Sequence, residues 1–157
     1  MALSEYVRES FCKGERDQTM TGFLKLWISG QELDLDEISE RLKTDPSHLY
    51  KKGDTHYDKI TKETITYVED RWLLDKEIET ENLEQEVLDF ISLFAHNTEY
   101  IKSLSEKHTV FLWLSVYPET EQYSVCFSTK VIEEVYKLGL SIGINVADLR
   151  AFYDGTH

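Results

Sequence analysis

Apolar side chains recur at every second residue over 21–29, with Leu24, Leu26 and Ile28 on one face and Phe23 and Trp27 on the other. That period predicts a β-strand, and Gly30 ends it. Asp34 then stands where an N-cap belongs, with Glu37 three residues on as its capping-box partner. Leu35, Ile38 and Leu42 follow at helical spacing and predict a short helix over 35–43. The period is lost over 44–62, where Asp45-Pro46-Ser47 and Gly53-Asp54 sit among polar side chains. This stretch reads as a long loop. Alternation returns over 64–74: Ile65, Tyr67 and Leu73 point one way, Val68, Trp72 and Leu74 the other, and Glu69, Asp70 and Arg71 interrupt them.

Residues 81–97 carry the clearest helical stripe, formed by Leu83, Val87, Leu88, Ile91, Phe94 and Ala95 opposite Glu84, Glu86 and Asp89. A shorter helix is expected over 99–107, with Tyr100, Ile101 and Leu104 inward. Residues 110–117 are apolar on both faces, as in a central strand. A turn at 118–121 and the alternation of Tyr123, Val125 and Phe127 predict a hairpin with its return strand at 122–127. Ser128 or Thr129 opens a last helix that buries Val131, Ile132 and Val135, and Gly139 suits its C-terminal turn. Strict alternation over 140–146 makes the last strand, where Gly143 leaves room for another element or a second copy of the chain. Of the three tryptophans, Trp113 is expected in the core, and Trp27 and Trp72 are expected to pack across the sheet from one another.

The order from the second strand onward is β-α-β-β-α-β, the split-βαβ pattern of ferredoxin-like sandwiches. The expected fold is therefore a single α+β domain over residues 1–157. It has a mostly antiparallel sheet, helices on one face and a ferredoxin-like part at 64–147. The first strand and helix are read as an addition, and residues 1–19 as an arm.

Charge changes this picture. The chain has 157 residues, with 30 acids against 17 bases and a net charge of −13. Such a charge disfavours nucleic acid and anionic membrane and speeds encounter with a basic partner. With 30% charged residues, no apolar run is long enough to span a bilayer. The N-terminus lacks the apolar segment of a secretory signal. Cys12 and Cys126 make no disulfide framework, so a reducing cytoplasm is the expected compartment, with Cys126 in the core. The acids gather in two segments, 32–40 and 63–90. Asp34, Asp36, Glu37, Asp75, Glu77 and Glu79 are the candidate surface for a basic protein, provided that the two segments share a face.

The motifs of catalysis are missing. No glycine-rich phosphate loop, nucleophile elbow or helical zinc spacing occurs. No catalytic residue, metal or cofactor is expected, and a non-enzymatic domain is the reading. His48, Lys52, Asp54 and His56 share the long loop and form the alternative site, a small-molecule or ion sensor.

One family pattern runs through these motifs. Ser29-Gly30, Leu33-Asp34-Leu35-Asp36-Glu37-Ile38, Leu42, Asp45-Pro46-Ser47 and Lys52-Gly53-Asp54 come first. Trp72 with Leu74, a long amphipathic helix and Leu138-Gly139 before an alternating strand follow. In this order, over about residues 21–147, the chain resembles a family of mostly bacterial domains of unknown function numbered 4279. The departures are at 55–63 and in the tail from Ala147. The resemblance implies a small α+β domain with no known catalysis or cofactor. By analogy of size and acidity, it is similar in character to immunity proteins that neutralise a toxin. A second copy of the chain is the other partner that the sequence leaves open.

Overall fold

The computed structural model describes residues 20–118 and 124–147. The expected arm at 1–19, the turn residues 119–121, the first two residues of the return strand and the tail from 148 lie outside them. Strand β1 (Met20–Gly30) leads into helix α1 (Leu35–Leu42), then β2 (His48–Tyr50), β3 (Thr55–Asp58), β4 (Glu63–Thr66) and β5 (Asp70–Thr80). Helix α2 (Leu83–Ser92), a 3-10 turn (Ala95–Asn97) and α3 (Thr98–Ser105) lead to β6 (Thr109–Tyr117), α4 (Thr129–Lys137) and β7 (Ser141–Val146).

Five strands form one sheet in the order β2-β5-β1-β6-β7, and β3 pairs with β4 as a separate hairpin. Every pairing is antiparallel except β6 with β7. The class is thus α+β with a mostly antiparallel sheet, as the sequence predicts. Because β1 runs opposite to both neighbours, β5 and β6 are parallel to one another with β1 between them. The β5-α2-α3-β6 crossover is therefore a split βαβ.

The sequence reading differs here in four places. Strand β1 is the centre of the sheet, not an addition to it. No return strand occurs among residues 124–127, so β1 supplies the antiparallel neighbour that the hairpin at Pro118 was to provide. The long loop contains β2 and β3, and the strand expected over 64–74 is two strands in two sheets. Strand β5 also runs on to Thr80, through the acids that the sequence places ahead of the helix.

The four helices of the described residues lie on one side of the sheet. Leu24, Leu26 and Ile28 of β1 meet Val110, Leu112 and Leu114 of β6 across the strands, and Leu26 also meets Leu74 of β5. The β1 and β6 residues share one buried cluster, against which Leu74 packs, with Leu35, Ile38 and Leu42 of α1, Val87, Phe90 and Ile91 of α2, Ile101 of α3, and Val131 and Val135 of α4. Burial of each such side chain is worth about 1.5–3 kcal/mol.

Local signals set the helix ends. The Asp34 carboxylate accepts from the Glu37 N–H at 2.9 Å, which caps α1. Glu37 does not return the bond as a capping box would; its carboxylate lies 3.7 Å from Arg41 Nε. Asn82 caps α2 by accepting from Gln85 N–H. The Ser128 N–H at the start of α4 donates to the Glu84 carboxylate of α2, which ties these helices together. Gly139 takes φ +69°, the left-handed turn expected after α4.

Candidate functional site

Alternation puts the odd-numbered residues of β1, β5 and β6 on the face away from the helices. Among the described residues no helix packs over this outer face. Phe23, Lys25 and Trp27 of β1 stand beside Phe111, Trp113 and Tyr117 of β6, and beside Arg71, Asp75, Glu77 and Glu79 of β5. His48 and Tyr50 of β2 continue the row, paired with Leu73 and Arg71.

These side chains are packed on one another. Trp27 stacks on Phe111 at 5.5 Å between centroids, and Phe111 meets Trp113 edge-on at 5.9 Å. The Arg71 guanidinium lies 5.0 Å from the Trp27 ring and 5.1 Å from that of Tyr67. Tyr67 stacks on Tyr50 at 4.2 Å. An aromatic and cationic row thus crosses the sheet from Trp113 to Tyr50, with contacts worth about 0.5–1.5 kcal/mol each beyond burial. The Trp113 ring covers Gly143 of β7 so closely that a Cβ there would overlap it. The room that the sequence assigns to a neighbour of Gly143 is therefore filled from within the sheet. Trp113 and Trp27 belong to the outer face, while Trp72 is in the core on the other, so Trp27 and Trp72 do not pack together.

The acidic candidates divide between the two faces. Asp75, Glu77 and Glu79 follow one another along the outer face of β5. Asp75 is engaged there: Lys25 Nζ and His48 Nε2 each lie 3.5 Å from one of its oxygens. Glu77 and Glu79 are exposed and make no ion pair among the described residues. Their cross-strand partners are Phe23 and Thr21, and Phe23 meets Tyr117 edge-on at 6.1 Å. Asp34, Asp36 and Glu37 open α1 instead, and α1 lies on the helix side, where Ser39 accepts a bond from Trp72 Nε1. Asp34 and Asp36 line a cleft of about 620 Å³ with Glu32, Leu49, Lys51 and Asp54. The six candidates do not form one face.

The loop candidates are also parted. His48 faces Asp75, the Lys52 ammonium donates to Gln31 Oε1 at 2.8 Å, and the Asp54 carboxylate accepts from Lys51 N–H at 2.8 Å. His56 sits on the β3–β4 hairpin opposite Ile65. Among the described residues no group of His, Cys, Asp and Glu is arranged to hold a metal. Cys126 is exposed, not in the core. No helix among the described residues is long and apolar enough to cross a membrane.

Asp70 is the pivot that the sequence reading passes over. Its carboxylate accepts from Lys52 N–H at 2.8 Å and from Leu33 N–H at 3.0 Å, joining the β2–β3 turn to the segment before α1. The Lys52 bond chiefly holds its pKa below the usual carboxylate value, against an opposing effect of desolvation, and the Leu33 bond adds a smaller lowering. A depressed folded-state pKa gives stability that is present above the unfolded value, about 3.9, and lost as pH falls through the folded one. Asp70→Asn is expected to flatten that part of the acid limb, as read by the denaturant midpoint between about pH 6 and pH 2.

A family model described as Domain of unknown function (DUF4279) matches residues 18–149. The chain belongs to that family. The match takes in the five-stranded sheet and the four helices of the described residues of this DUF4279 domain, including the segment 55–63, where the motifs show no correspondence. No curated protein matches it, and neither does any solved structure.

The aromatic row is what sequence reasoning missed. Its signal was present in the shared parity of Phe111, Trp113 and Tyr117. It was hidden because β6 is apolar on both faces and alternation alone could not say which face the helices cover.

Proposed function

We propose that this DUF4279 domain is a non-catalytic protein-binding domain that docks a basic partner on the outer face of its sheet. The observation that carries the reading is the placing of exposed, unpaired Glu77 and Glu79 beside the Phe23–Tyr117 pair. An arginine or lysine from a partner gains a carboxylate and a ring face at one place. The net charge of −13 raises the rate of encounter with such a protein. An immunity-type inhibitor held against a basic toxin in the bacterial cytoplasm is the most specific form of this reading. The alternative, a sensor at His48, Lys52, Asp54 and His56, gains no support, because His48, Lys52 and Asp54 are engaged with different partners and His56 lies on the separate hairpin.

The test is capture from native lysate by the tagged full chain, washed at low and at high salt, beside the double variant Glu77→Lys/Glu79→Lys. One dominant basic protein is expected, released by salt and bound at least about tenfold more weakly by the variant. A partner held equally by both chains, or equally at both salt concentrations, overturns the reading. Both substitutions are at exposed positions, so the melting temperature checks that the fold is retained.

A further inference from the structure

Large apolar side chains are left exposed in two main places. One is the β3–β4 hairpin with the residues beside it. The other is the β7 edge, where Ile144 is 45% and Val146 47% exposed, together with α4, where Ile132 is 54% and Tyr136 81% exposed. The β7 edge also carries unpaired main chain. Ala147 N–H donates to Val116 O of β6 at 3.0 Å. Since alternate residues of a strand direct their N–H and C=O groups to opposite sides, Ile142, Ile144 and Val146 direct theirs away from β6. The strand lies last in the sheet order, so among the described residues nothing receives these groups.

Edge strands are ordinarily protected by shortness, charge, proline or a bulge. The other edge, β2, is three residues long. Strand β7 is six residues long and has none of the other devices: Ser-Ile-Gly-Ile-Asn-Val carries no charge and no proline. The whole stretch 138–147 is uncharged in a chain whose charged residues make up 30% of the total.

We infer that β7 pairs with β7 of a second copy of this chain, antiparallel across a two-fold axis near Ile144, joining two five-stranded sheets into one. The occupant follows from charge and symmetry. Two copies that each carry −13 repel over most of their surfaces, and they approach at least cost where both are neutral. A two-fold contact must also be self-complementary. Here Ile144 meets Ile144 and Ile142 meets Val146, each pair exchanging both N–H···O bonds. Helix α4, which packs on β7, adds the exposed Ile132 and Tyr136 to the apolar surface of this end of the sheet. This surface is separate from the outer-face site and does not depend on it.

Sedimentation of the full chain over a wide concentration range, joined to residue-resolved amide exchange, tests the inference. Twice the chain mass is expected, with association strengthened by salt because like charge is screened. The amides of Ile142, Ile144 and Val146 are expected to slow as the dimer forms, while those of Gly143 and Asn145 are slow throughout. Ile144→Lys sets two ammonium groups opposite one another and is expected to weaken association by about a hundredfold or more. Val146→Lys serves if that variant does not fold. A chain that stays monomeric at its highest soluble concentration overturns the inference. So does a dimer in which the three edge amides exchange as fast as in dilute solution, and a monomer that captures an extended peptide at β7 would assign the edge to another protein.

Discussion

Trp72→Ala is expected to lower the stability of the domain by about 3–5 kcal/mol, read as a fall in the denaturant midpoint at unchanged slope. Trp72 is fully buried and is the largest such side chain in the core. It sits on β5 beside Ile28 of the central strand, beneath α1. Its indole N–H donates to Ser39 Oγ at 3.0 Å, and the Ser39 hydroxyl donates in turn to Leu35 O at 3.2 Å. Alanine thus removes the largest of the side chains that join α1 to the sheet and leaves a cavity that its neighbours fill only in part. Trp72→Phe keeps most of the volume and loses the hydrogen bond, worth about 1 kcal/mol. If the alanine variant loses no more than the phenylalanine one, the packing assigned to Trp72 is wrong.

The second large effect is expected at Gly22, in the middle of the sheet. Gly22 lies on β1 between Ile78 and Val116, and a Cβ there would overlap the main-chain carbonyl oxygen of Ser115. In an unobstructed strand, Gly→Ala gains about 0.4–1 kcal/mol by restricting the unfolded chain. Here the added methyl group must push β1 and β6 apart, and a loss of about 1–3 kcal/mol or more is expected. Gly143→Ala makes a useful comparison, because the obstructing atoms there belong to the Trp113 side chain, which can turn aside. Thermal or denaturant unfolding of both variants decides. A stabilised Gly22→Ala would mean that β1 and β6 do not approach as closely as described.

Features that depend on near neighbours in the chain were readable in advance. The alternation of β1, the cap at Asp34 and the left-handed turn at Gly139 each follow from a few adjacent residues. Features that depend on distant pairing were not. Nothing local says that β1 lies between β5 and β6, because its partners Thr80 and Tyr117 are far along the chain. In β5 the strand period is concealed by charge: between Asp75 and Thr80 only Ile78 is apolar, and Lys76 faces the helix side by extending its ammonium to Glu86 at 2.9 Å. By sequence alone those acids therefore look like a lead into α2. The candidate site divides in the same way. Glu77 and Glu79 could be named from sequence, but their separation from Asp34 and Asp36 depends on which face α1 covers.

The central position of β1 also has a kinetic consequence. During synthesis β1 is the first strand of the sheet to be completed, yet it has nothing to pair with until β5 has been made, and its other side stays open until β6 follows. Closing chain segments of this length before any pairing is gained costs entropy that a simple hairpin meander avoids. Slow sheet formation is expected, with both flanks of β1 exposed to other nascent chains until residue 117 is in place.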